Sequence, residues 1–157
     1  WYTLLKPGLR LHAAPAERLD QAGHFLSRLM TCRNFDLDVR MTLSPAGTHS
    51  AGIGLMGNSY VFAALGGGAL RLVQGGAEEQ ERPVLARPYE KTELTLRLRV
   101  REGQVSFFFG ADEDSLTALG GAFPMAPGGW TGARPGIFCT GDAGYEDIHF
   151  VRVTEYR

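Results

Sequence analysis

The sequence predicts an all-β fold in which two antiparallel sheets pack as a sandwich of jelly-roll type. Three observations carry this prediction. Two long stretches alternate apolar and polar residues with a period of two, as a strand with one face on a core does. The 21 glycines fall mostly between apolar stretches, where turns between short strands belong. About ten strand-like segments and hardly any helical one can bury their apolar faces by packing sheet on sheet. At 157 residues the chain has the size of one ordinary domain, expected to span 1–157.

In chain order, the first patterned segment is Ala16 to Leu29. Leu19, Ala22, Leu26 and Leu29 roughly form a helical stripe, but Gly23 interrupts it at a cost of about 1 kcal/mol relative to Ala. A short turn over residues 16–22 and a strand from His24 is the better reading. Phe35, Leu37, Val39, Met41 and Leu43 alternate with Asp36, Asp38, Arg40 and Thr42, which places the first set on a core and the second in water. Residues 51–56, 60–65 and 70–73 follow as short strands on tight turns, Gly57-Asn58 and Gly66–Gly68, and suggest a meander. Residues 75–92 are polar and hold Pro83 and Pro88, so they read as a loop with a short strand near Val84-Leu85. Leu94, Leu96, Leu98 and Val100 alternate with charged residues and Thr95; Glu102-Gly103 turns the chain, and Val105, Phe107 and Phe109 return as a hairpin. Residues 110–129 read as an irregular connection. Residues 135–140 and 147–153 close the fold, with the inward face of the last segment open between Ile148/Phe150 and Val151/Val153.

Composition excludes several function classes. A hydrophobic share of 44% is that of a globular chain, and a net charge of −1 gives no electrostatic basis for binding nucleic acid or an anionic membrane. No apolar run approaches the roughly 20 residues a membrane helix needs. The opening WYTLLKPG lacks the features of a signal peptide and an initiator Met, so the chain reads as a fragment or processed product. Cys32 and Cys139, in apolar strand-like stretches, read as buried free thiols, which fits a reducing compartment such as the cytoplasm.

No reactive constellation emerges. His12, His24, His49 and His149 have no zinc-ligand spacing, and no GxSxG elbow is present. Asp112-Glu113-Asp114 lacks the ligand pattern of a calcium loop and reads as a solvated turn, as does the charge run Glu78–Glu81. Gly52-Ile53-Gly54 and Gly66–Gly68 open no helix, so they mark turns or close strand approach rather than phosphate cradles. Sequence places no pair of carboxylates at the about 5–10 Å that glycoside hydrolysis needs. No cofactor and no metal is expected. Trp130, in the loop Pro127-Gly128-Gly129-Trp130-Thr131-Gly132, can stack on a sugar ring, fill a partner's pocket or fold back on the sandwich. Tyr60 and Phe62 can line a sheet face, with core packing the expected role of Phe62.

Four segments resemble a known family in order and spacing. Residues 130–141, WTGARPGIFCTG, are similar to the FTGAxxGLYATG segment of the C-terminal concanavalin A-like β-sandwich of family 43 glycoside hydrolases, the β-xylosidases and α-arabinofuranosidases. Ala51-Gly52-Ile53-Gly54-Leu55 resembles AGLxLY, residues 1–11 resemble WSLTxRPGxLRL, and Asp147-Ile148-His149-Phe150-Val151 resembles DFDYF. The chain departs from the pattern at Arg28-Leu29-Met30 in place of RRQ, at His149 in place of the second acid, and at Trp130 in place of Phe. The resemblance implies a non-catalytic accessory domain that packs on a five-bladed β-propeller of the same parent chain, where the catalytic carboxylates reside. It implies that Trp130, with Thr131 and Arg134, contacts the partner and the xylo- or arabino-saccharide in its pocket. An autonomous carbohydrate-binding module and a purely structural sandwich are the alternatives.

Overall fold

The computed structural model describes residues 1–125 and 132–157. Among the described residues fourteen strands run in chain order: β1 (Tyr2–Leu5), β2 (Gly8–His12), β3 (Phe25–Ser27), β4 (Asn34–Leu43), β5 (His49–Met56), β6 (Ser59–Gly66), β7 (Ala69–Gly76), β8 (Glu79–Pro88), β9 (Glu93–Arg101), β10 (Gln104–Gly110), β11 (Thr117–Ala118), β12 (Phe123–Pro124), β13 (Arg134–Gly141) and β14 (Tyr145–Tyr156). They form two antiparallel sheets. Sheet I has the order β1-β2-β14-β4-β9-β10-β11, with β12 also on β10; sheet II has the order β3-β13-β5-β6-β7-β8. This is the predicted concanavalin A-like sandwich.

The alternation read from the sequence is the one that builds the core. Phe35, Leu37, Val39, Met41 and Leu43 of β4 and Leu94, Leu96, Leu98 and Val100 of β9 all point between the sheets. Ala51, Ile53 and Leu55 of β5, with Val61, Ala63, Leu65, Leu70 and Leu72, close the core from sheet II. The β5–β6–β7 meander forms as expected, and Gly67 (φ 57°) and Gly68 (φ 71°) make its second turn in the left-handed region that two-residue hairpin loops require.

Three expectations need revision. Residues 75–92 are not a loop: β8 runs for ten residues along β7. It is the exposed edge strand of sheet II, so no apolar alternation marks it, and its register shifts where Val73 pairs with Pro83. The β1–β2 hairpin at the start, for which the sequence carried no strand expectation, has no periodic signal because β1 is an exposed edge of sheet I. The irregular connection of residues 110–129 includes the two-residue strands β11 and β12. The open register of the last strand has a physical cause: β14 bulges between Ile148, opposite Met41, and Phe150, opposite Arg40. The bulge flips parity, so Ile148, Val151 and Val153 share the inward side and Phe150 faces out.

The segment before β3 holds a single 3₁₀ turn, Leu19–Gln21, as the broken stripe implied. It lies across the outer face of sheet II.

Candidate functional site

On the outer side of sheet I the residues expected in water are not all there. Asp36 and Asp38 are 1% and 2% exposed. Arg97 and Arg99 of the neighbouring strand grip them with paired bonds of 2.6–3.0 Å, and Arg101 and the Tyr156 hydroxyl also reach Asp36. Burial opposes ionisation of Asp36, but Arg99, Arg101 and Arg97 outweigh it and hold the carboxyl below its ordinary value. Further along the same side, Arg10 makes a two-pronged pair with Asp147 at 2.7 and 2.9 Å and stacks over Tyr145. Two of the family-like segments, 137 positions apart, thus meet in one ion pair. His149, where the family has its second acid, bonds the Thr42 hydroxyl at 2.7 Å.

Inside the sandwich Glu146 has no accessible surface, and neither carboxylate oxygen has a partner. It faces the core because it pairs with the inward residues Leu11 and Leu43. Burial, and then the Asp147 charge, raise its carboxyl far above the ordinary value. Burial likewise pushes the nearby Cys139 thiol up to about 12, so this cysteine is an unreactive core residue. Cys32 is half-buried, and both thiols are free.

The outer face of sheet II is where a ligand-sized space forms. Residues 14–24 leave β13, where Ala14 bridges Thr140, and cross the face to β8. The Leu19 amide donates to Glu81 Oε1 at 2.6 Å, and Arg18 reaches the Ala77 carbonyl. Leu19 inserts its side chain among Tyr60, Phe62, Ala64, Val73 and Phe138, a second buried cluster on this outer side. Phe62 therefore packs here and not in the central core. The Tyr60 hydroxyl donates to Glu81 at 2.9 Å; burial and then the Glu81 carboxylate raise its phenol well above the ordinary value. Hydrogen bonds from Arg18 hold Asp20 below its ordinary value. Beside this crossing lies a cavity of about 300 Å³ lined by Ser50, Thr140, Arg71, Phe62, Phe138 and Glu81, among others.

Arg134, at the start of β13 opposite Met56, points to this same outer side but sits six positions from Thr140 and lines no part of the cavity. Trp130 and Thr131 lie outside the described residues. A second, apolar cleft of about 290 Å³ opens at the sandwich edge between Leu26 of β3 and Val151 of β14, with Leu37 and Ile137 in its lining. It exists because β2 accompanies β14 only as far as Ile148, which leaves the rest of β14 as an edge. Among the described residues no group of His, Cys, Asp and Glu is placed to hold a metal ion, and Asp112 instead accepts the Asp114 and Ser115 amides of its own turn. Among the described residues no helix is long and apolar enough to cross a membrane.

Sequence reasoning missed Ser50, Arg71, Glu81 and Thr140. Ser50, Arg71 and Thr140 are lone polar residues, and Glu81 ends the charge run expected to be a solvated turn but lies in β8 and accepts from Leu19 and Tyr60; only the pairing of β13, β5, β6, β7 and β8 brings them together. The one available signal was Arg71, a charge inside the apolar run of residues 70–73.

Solved structures with this fold are similar over nearly the whole chain. The GH43 protein BlXynB from Bacillus licheniformis superposes with a TM-score of 0.84 at 18% identity, covering 99% of this chain and 34% of that one. A xylan beta-1,4-xylosidase from Bacillus halodurans gives 0.82 at 17%, with the same 99% and 34%. A functionally unknown protein from Saccharomyces cerevisiae gives 0.71 at 16%, with 100% of this chain and 92% of that one. The chain thus spans about a third of the length of the two bacterial proteins. No curated protein matches by sequence. The beta-xylosidase C-terminal concanavalin A-like domain matches residues 1–154, and with the sandwich that those residues build, the chain belongs to this family.

Proposed function

We propose that the chain is the non-catalytic C-terminal accessory domain of a family 43-type glycoside hydrolase acting on xylosides or arabinosides. It packs on a five-bladed β-propeller of the same parent chain, and Trp130, Thr131 and Arg134 contribute to the wall of the propeller's sugar pocket. The observation that carries this reading is the family match over residues 1–154, in a chain equivalent to only 34% of the similar family 43 proteins. The carboxylates support it. Asp20, Asp36, Asp38, Asp147, Glu93, Glu113 and Glu155 each face an arginine, and the carboxyls of Asp20, Asp36 and Asp147 are held below their ordinary value, which suits structure rather than proton donation. Glu146, whose carboxyl is raised, is sealed in the core where no glycoside reaches it.

The test assays the 157-residue chain and the parent enzyme side by side on aryl β-xylosides and α-arabinofuranosides. The isolated chain shows no turnover; turnover abolished by a carboxylate substitution within these residues overturns the reading. In the parent, Trp130→Ala lowers kcat/KM about tenfold, the effect of losing one stacking aromatic.

A further inference from the structure

The cavity on the outer face of sheet II is chemically polarised. At one end Thr140, Ser50 and Gly66 lie in register on adjacent strands, and Arg71 reaches this end by donating to the Gly66 carbonyl at 2.7 Å. The floor is apolar, made by Phe62, Ala64, Val73 and Phe138. The other end carries Glu81, whose Oε1 is taken by the Leu19 amide and the Tyr60 hydroxyl while Oε2 is left over. Glu17 stands exposed on the rim.

Arg71 stands out among its kind. The half-buried arginines Arg10, Arg18, Arg40, Arg97, Arg99 and Arg101 each face a carboxylate. Arg71 is half-buried too, yet no carboxylate pairs with it among the described residues. A guanidinium has five donors, so one bond to Gly66 leaves most of its capacity beside two side-chain hydroxyls.

The geometry points to a binding site for a sugar acid: one pyranose-sized polyol whose carboxylate is held by Arg71, Ser50 and Thr140. The apolar floor takes the C–H face of the ring, and Glu81 and Glu17 accept bonds from its hydroxyls. A volume of about 300 Å³ is at the lower end for ligand pockets, which suits one ring rather than an oligosaccharide. The carboxylate end disfavours a ligand that is anionic throughout, such as a phosphate. This site requires neither a catalytic neighbour nor residues 126–131.

Calorimetric titration of the 157-residue chain with sodium D-glucuronate, D-glucose and sodium acetate tests the assignment, with amide shifts mapping where each binds. Glucuronate binds at least about tenfold more tightly than glucose or acetate, as one charge-assisted pair adds. Its shifts centre on Ser50, Ala64 and Thr140. Arg71→Gln removes about tenfold in affinity, and Thr140→Ala weakens binding where the Arg71 variant does not fold. Glucuronate binding no tighter than glucose, binding insensitive to both cavity variants, or shifts centred elsewhere overturns the proposal.

Discussion

Glu146 and Asp36 are both buried acids, and their surroundings drive them in opposite directions. Glu146 lies among Leu11, Leu43 and Cys139 with no donor for either oxygen. Asp36 lies beneath three guanidiniums. The folded Glu146 carboxyl is raised above 4.5, so between pH 4.5 and its folded value the native chain keeps a proton that the unfolded chain has lost. Stability from this group is complete below pH 4.5 and falls as pH rises. Glu146→Gln removes that slope: it matches the parent chain at pH 4 and is about 1–3 kcal/mol more stable at pH 7 in urea melts. Asp36 is lowered below 3.8, so its contribution is present above that value and lost as pH falls through the folded one. Asp36→Asn strands partly exposed arginines and costs about 2–3 kcal/mol at pH 7, with the difference from the parent shrinking in acid. Alternation placed Asp36 and Asp38 on the side of β4 away from the core and assigned no side to Glu146. It could not show that Arg97 and Arg99 would close over Asp36 and Asp38, because β4 and β9 are neighbours only in the folded sheet.

At the scale of elements, legibility followed burial. β4 and β9 were plain in the sequence because one face of each meets the core. β8 was hidden because an exposed edge strand needs no apolar pattern. β14 read ambiguously because its bulge changes which residues face inward. The crossing segment at Leu19–Gln21 is held by few contacts: the buried Leu19, its amide bond to Glu81, and the side-chain bonds from Arg18 to Ala77 and from Tyr60 to Asp20. Leu19→Ala therefore costs about 2 kcal/mol, at the low end for a buried leucine since the segment can collapse onto Phe62. Amide exchange over residues 18–22 accelerates in that variant ahead of β4 and β9, which hydrogen-exchange mass spectrometry reads directly. Equal protection of the crossing segment and the central strands would count against its being an independent element.

For the molecule as a whole, the sandwich leaves one side open. Leu26 is 42% and Val151 48% exposed although both have the inward parity of core residues. Under the accessory-domain proposal, such a cleft is where the neighbouring domain buries apolar surface. Val151→Lys leaves the stability of the 157-residue chain within about 0.5 kcal/mol, as a surface change does. It weakens association with a separately produced catalytic domain of the parent at least about tenfold, measured by sedimentation. Unchanged association would place the contact elsewhere on the sandwich.

The sequence by itself determined the two-sheet fold and the family, because strand alternation, turn glycines and ordered segments are local signals that survive without coordinates. Arg134 was named as a contact residue only through that resemblance. Tertiary structure alone decided the buried Asp36 network, the orphaned Glu146, the crossing segment and the cavity with Arg71. Each depends on residues 59 to 137 positions apart becoming neighbours across strands, as Asp38 and Arg97 or Arg10 and Asp147 do. Charge and hydrogen-bond partners act over a few ångströms, so only folding settles which side chains are paired and which, like Arg71, are left to meet something else.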